Sequence, residues 1–382
     1  MKSSWRFVAA GMVSVWIAGV AYAVRPSAQA VIPSPPPGAI AGTFFKNVTT
    51  STLKTLTVDD FIAAMGVMSG ALGWDCADCH PGAGTDTVDW VFDTRVKRTA
   101  RRMVEMVDAI NKAQFAGVQK VTCWTCHHGR DIPASSIMLD RLYETPNDEL
   151  DDLVVQDKDQ PQATVILDKY IAALGGAQRL NGLTSYIATG TSLGFGEFGG
   201  TADFTIFAKS PDKRTTLINY KDHPDRGESL WTVSGNTGTV KTPRALLRDY
   251  TIVGEELDGQ MFEAKLAFPG KIKEALTNWR VGQPRAIGNK DYAVVQGNGP
   301  RGFMATLYFD QDTGLLARMV RYGASPVGHV LTQTDYADYR DVNGIKFPFA
   351  YKFSWLDGRF SATLKDVKTN VAIPDTRFGK PQ

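Results

Sequence analysis

Apolar and polar positions along the chain follow two different periods, and the change from one to the other divides it. In "TVDDFIAAMGVMSGALG" (57–73) the apolar residues recur at helical spacing. Thr57 is placed to cap the helix, acids fill its first turn and Gly73 stops it. "TRVKRTARRMVEMVDAINKA" (94–113) predicts a second helix, with Val96, Met103, Met106, Val107 and Ile110 on or near its apolar face. A short helix, "ATVILDKYIAALGG" (163–176), ends on Gly175 and Gly176. Beyond it the period drops to two. "DFTIFAKS", "KRTTLINY", "ESLWTVS", "DYAVVQGN", "FMATLYFD" and "LLARMVRYG" each read as a strand. Asn343-Gly344 and Asp357-Gly358 suit tight hairpin turns, so the last strands form an antiparallel meander, interrupted earlier by helical material around "LDGQMFEAKLAF".

The segments between these blocks carry other signals. "MKSSWR", an apolar core and "AYA" at Ala21 to Ala23 have the layout of an export signal over 1–23. Phe7 to Val24, if retained, is nearly long enough to anchor the chain in a bilayer. Either way the expected location is exported and periplasmic. Residues 24–42 are rich in proline and small residues and read as a tether. Residues 134–161, with "DRLYETPNDELDDLVVQDKDQ", read as an acidic linker or a surface-hugging segment. The net charge of +2 leaves no footprint for nucleic acid.

The chemistry lies in four cysteines. "DCADCH" and "TCWTCH" use all of them: Cys76, Cys79, Cys123 and Cys126, trailed by His80 and His127. A thioredoxin-like pair needs one such motif and no histidine, and a four-thiolate zinc site leaves both histidines unexplained. Covalent attachment of two c-type haems explains every residue, because each turn offers two thiols to the macrocycle and an imidazole to the iron. For the sixth ligands, Met65 and Met68 precede the first motif on a helix, and Met103 and Met106 precede the second. Each pair shares a helix face. Packing in a core is the competing use of such methionines. His128 is placed as a polar neighbour, and His223 and His329 fall among loops and strand surfaces of the β region.

"FIAAMGVMSGALGWDCADCH" and "TARRMVEMVDAIN…VTCWTCHHG" resemble the cytochrome c subunit of photosynthetic reaction centres over about residues 44–133. The resemblance implies Met65 and Met103 as iron ligands, with Met68 and Met106 as packing residues. That family carries four haems and this chain has motifs for two. The stretch "VDAINKAQFAGVQK" also lacks the histidine with which the family serves a distant haem. The β region, through "LGGAQRLNGLTSYIATGT", "YFDQDTGLLARMV" and "DYRDVNGIKFPFAYKFSW", resembles the half-barrel of bacterial lipoprotein carriers. This implies a docking module, with a lipid or a quinone as candidate ligand of its concavity.

The expectation is therefore an α+β multidomain chain. A mainly α dihaem c-type cytochrome domain (43–133) is followed by an antiparallel β half-barrel (162–382). Its function would be electron relay between redox proteins outside the cytoplasm, in a complex held at the membrane, with no catalytic residues. A dihaem peroxidase-type enzyme with one open iron, and a redox-sensing or hydrophobic-ligand-binding protein, are the alternatives.

Overall fold

The computed structural model describes residues 34–85, 87–136, 153–194, 200–221, 227–242, 249–356 and 358–379. The export signal, most of the tether, His223 and Asp357 lie outside them. Five helices open the described chain: α1 (Ala41–Phe44), α2 (Val58–Leu72), α3 (Cys76–Cys79), α4 (Arg95–Gln114) and α5 (Cys123–His127). The caps of α2 are those its sequence predicts. Thr57 accepts from the Asp60 amide, and Gly73 closes the helix in the left-handed region at φ 67°. The end of the expected tether belongs to the fold, since Ala41 is fully buried and its amide donates to Leu56 O at 2.8 Å.

The apolar face of α4 differs from the expected one. Its buried side chains are Lys97, Val104, Val107 and Asn111, whereas Met103 and Met106 are 36% and 43% exposed. Polar groups win those positions because each has partners. Lys97 Nζ donates to Trp90 O and Phe92 O at 3.0 and 2.9 Å, and Asn111 bonds the backbone of Lys120 and Val121.

Two helices, α6 (Ala163–Ala173) and α7 (Ala177–Asn181), lead into the sheet. Its first strands are β1 (Ser185–Leu193), β2 (Thr201–Lys209), β3 (Lys213–Tyr220), β4 (Glu228–Ser234), β5 (Thr237–Lys241) and β6 (Asp249–Ile252). Helices α8 (Gly254–Leu266) and α9 (Ile272–Ala275) intervene. Then come β7 (Thr277–Val281), β8 (Arg285–Ile287), β9 (Lys290–Asn298), β10 (Met304–Asp310), β11 (Leu316–Gly323), β12 (Val330–Val342), β13 (Ile345–Trp355) and β14 (Gly358–Thr369). The order is β6-β5-β4-β3-β2-β1-β14-β13-β12-β11-β10-β9-β7, with β8 beside β9. The pairs are antiparallel, and the meander joins end to start where Tyr186 of β1 faces Thr369 of β14. Asn343 and Gly344, at φ 55° and 80°, make the expected turn between β12 and β13.

The sheet curls, so that α8 touches β3, β4 and β5 on one wall and β11 on the other. Alternate residues of its strands, such as Phe204, Ile206 and Ala208 of β2, face one continuous core with Leu167, Phe262 and Phe309. Each large side chain buried there contributes about 1.5–3 kcal/mol against exposure. The end of the acidic segment is the surface-hugging alternative. Val154 is buried, its amide donates to Gln296 Oε1 at 3.0 Å, and Arg280 Nε donates to its carbonyl at 2.7 Å.

A second core joins helices to sheet. Leu53, Ala64, Val67 and Val104 from the helical region close around Val327, which sits in the loop between β11 and β12 and is fully buried. Backbone pairing reinforces it, with the Cys123 amide donating to Val327 O at 3.1 Å. Gln119 Nε2 donates to Ser325 O at 2.8 Å, and the Val253 amide to Asp59 Oδ2 at 2.9 Å. Residues 32–382 accordingly form one compact unit. No helix among the described residues is long and apolar enough to cross a membrane.

Candidate functional site: two capped Cys-x-x-Cys-His turns

Each cysteine pair sits on a single helical turn fixed by its own capping box. In α3, Asp75 accepts from the Ala77 amide at 2.7 Å while its own amide donates to Asp78 Oδ2 at 2.9 Å. In α5, Thr122 accepts from the Thr125 amide at 3.4 Å and its amide donates to Thr125 Oγ1 at 3.0 Å. In both, the residue before the first cysteine caps the turn and the residue before the second closes the box. Two thiols three residues apart then share one face, and the histidine follows at the end of the turn. This reciprocal Asp/Asp and Thr/Thr spacing is present in the sequence and was missed there.

The two turns are neighbours. Gly73, the cap of α2, lies against Gly129, where a Cβ would collide with the Gly129 carbonyl, and the Gly129 amide donates to Ala71 O at 2.9 Å. Gly73 is three residues before Cys76 and Gly129 three after Cys126. At 3.3–3.6 Å per residue, this bounds the separation of those cysteine backbones at about 25 Å.

The histidines differ in what holds them. His127 Nδ1 lies 2.8 Å from Arg130 O. A carbonyl only accepts, so Nδ1 carries the proton and Nε2 the lone pair. His128, in the left-handed region at φ 49°, points Nε2 at Thr125 O at 3.1 Å and packs on Trp124, so it is the polar neighbour expected. His80 packs edge-on against Trp90 at 5.0 Å, with its Nδ1 buried and without a hydrogen-bond partner. Burial, and then the charge of Lys97, bring its pKa down to about 4, which keeps the ring neutral and a potential ligand. His329 is half-buried in the loop before β12, with its ring 6.3 Å from that of Tyr322.

The thiols argue against the competing chemistries. Burial pushes Cys79 upward and Cys123 up to about 11, whereas a redox dithiol needs a lowered pKa. None of the four cysteines is in a disulfide. Among the described residues, which include all four, no three His, Cys, Asp or Glu side chains converge as a zinc centre requires. The residues present do fit a covalent haem: paired thiols on one turn, an imidazole with Nε2 left for a metal, and apolar side chains at the surface around them. Phe92, Met103, Met106 and Trp124 are between 36% and 58% exposed, which marks a surface suited to covering by an apolar group.

The two methionines of the first pair differ in packing. Met68 joins the core around Val67 and Val327, while Met65, half-buried on the same helix, does not. In the second pair both side chains project outward, Met103 36% and Met106 43% exposed.

Residues 11–169 match the family model described as the photosynthetic reaction centre cytochrome C subunit, so this part of the chain is similar to that family. A comparison with curated proteins gave no match. Among solved structures the chain is similar to a LolA superfamily protein from Nitrosomonas europaea, at 12% identity and a TM-score of 0.40 over 58% of this chain and 99% of that one. It is also similar to an outer membrane lipoprotein-sorting protein domain from Vibrio parahaemolyticus, at 12% identity and a TM-score of 0.38 over 56% of this chain and 94% of that one.

Proposed function

We propose that the chain is an exported dihaem c-type cytochrome that relays electrons outside the cytoplasm. The observation that carries this reading is the pair of capped turns, which together use every cysteine and each end in a histidine. Cys76 and Cys79 would hold one haem and Cys123 and Cys126 the other, with His80 and Met65, and His127 and Met103, as the residues that would ligate iron. When bound, the haems supply one-electron chemistry at iron.

The chain's own residues set the conditions for that chemistry. The Arg130 carbonyl fixes the tautomer of His127 and raises its basicity as a ligand. Lys97, buried beside His80, adds a fixed positive charge near the first turn. Ligation of each iron by a methionine and a histidine would leave no site for substrate, which favours relay over catalysis.

A spectroelectrochemical titration of the purified protein tests this. Two reversible one-electron waves and no fast cyanide binding are expected. Rapid, tight cyanide binding at one iron would instead establish the peroxidase-type alternative.

A further inference from the structure

The curled sheet carries a half-open cavity of about 890 Å³ whose lining comes from both halves of the chain. Its volume lies in the range of small-molecule sites, roughly 300–1,000 Å³. Ile62, Ala63 and Cys76 face it from the helical side, and Trp231, Tyr351 and Phe360 from the sheet. We propose that this cavity binds a neutral, planar, carbonyl-bearing apolar molecule of the quinone class, held against the first Cys-x-x-Cys-His turn. The redox role of such a ligand rests on the function proposed above; the binding site does not.

Charge balance selects a neutral ligand. Six charged side chains line the cavity; Asp75 and Lys346 are exposed and of opposite sign, and the other four, Arg214, Glu256, Glu263 and Arg321, pair among themselves. Arg321 Nε lies 3.0 Å from Glu263 Oε1 and its Nη2 lies 3.8 Å from Glu256 Oε1, while Arg214 Nη1 lies 3.3 Å from Glu263 Oε2. Two guanidinium groups against two carboxylates sum to zero. A fatty-acid carboxylate buried among these four groups would add an uncompensated charge.

Hydrogen bonding selects the ligand's polar groups. Trp231 Nε1 and Thr332 Oγ1 are buried and have no hydrogen-bond partner. Donors left open in this way are rare in folded chains. Arg321, only 3% exposed, stands directly opposite Thr332 in the β11–β12 register, whereas Trp231 belongs to β4 on the other wall. A quinone ring has carbonyl acceptors on opposite edges, no donor, and flat faces for the surrounding aromatic rings. An acyl lipid has its acceptors gathered at one end and fits this distribution poorly. The helix is built to admit the guanidinium: a Cβ at Gly259 of α8 would collide with Arg321 Nη1.

The test is calorimetric titration of the full-length holoprotein with a decyl-substituted benzoquinone, and separately with decanoate and lysophosphatidylcholine. Saturable binding of one quinone per chain is expected, with decanoate and the lysolipid much weaker. Trp231→Phe and Thr332→Val keep shape and remove one donor each, so each should weaken quinone binding about fivefold. No quinone binding by folded wild-type protein would overturn the proposal. So would unchanged affinity in the folded double variant, or tighter binding of either lipid. Haem content is measured by mass on the same sample. Quinone binding in a chain without covalent haem would refute the proposed function and leave the site standing.

Discussion

Truncating Val327 to alanine tests whether the helical region with the two Cys-x-x-Cys-His turns and the sheet fold as one cooperative body. The side chain comes from a loop of the sheet, is fully buried, and packs against Leu53, Ala64, Val67 and Val104 of the helical region. Val327→Ala removes two carbons from a site that cannot refill with water. At about 0.8 kcal/mol per buried carbon, and with a cavity cost of similar origin, the loss is about 2 kcal/mol. The Cys123 amide bond to Val327 O uses backbone alone and survives the change, so the apolar contact is isolated. The assay is urea unfolding followed both by haem absorbance, which reports the helical region, and by far-ultraviolet dichroism, dominated by the sheet. Both curves should move together by the same free energy. A dichroism transition that shifts while the haem transition stays in place would refute the single-unit reasoning. It would restore the independent domains that the acidic segment suggests.

Four further outcomes follow from particular residues. Met65→Ala should abolish part of the sulfur-to-iron charge-transfer band of the oxidised protein and Met103→Ala the rest, whereas Met68→Ala should keep the band and lower stability by about 2 kcal/mol or more. Thr122→Ala, measured as the fraction of chain carrying a second haem, should lower attachment at Cys123 and Cys126, because loss of the cap costs its turn about 1 kcal/mol. Gly73→Ala must leave the left-handed region and clears Gly129 only by moving it, so the denaturation midpoint should fall. Burial holds the Glu256 carboxyl above its ordinary 4.5, so the folded chain retains a proton that the unfolded chain releases. Stability should therefore decline as pH rises from 4.5 through the folded value, and Glu256→Gln should flatten that decline in pH-dependent unfolding.

Much of the architecture was legible where local chemistry and tertiary packing agree. Thr57 and Gly73 bound α2 because a hydroxyl cap and a left-handed glycine act within one turn. The strands "KRTTLINY" and "ESLWTVS" begin and end where their alternation does. The two Cys-x-x-Cys-His turns were legible because spacing within six residues fixes their geometry. What was hidden depends on distant partners. Lys97 and Asn111 occupy the buried face of α4 because backbone carbonyls and amides of the loops flanking the helix satisfy them. Val154 reads as part of an acidic, solvated run, yet it is buried because β9 offers it Gln296. Glu256, Gln260 and Glu263 recur along one face of α8 and would be read as solvent-facing, but that face lines the cavity. Nothing near Val327 in sequence marks it as the residue that joins sheet to helices.

The central claim is that the two Cys-x-x-Cys-His turns each carry a covalent haem. Tryptic digestion of the acid-acetone-extracted protein, followed by mass spectrometry, reads this directly. The account predicts one haem-bearing peptide containing Cys76 and Cys79 and a second containing Cys123 and Cys126. Peptides with four unmodified thiols from protein matured in a haem-attaching host would contradict it.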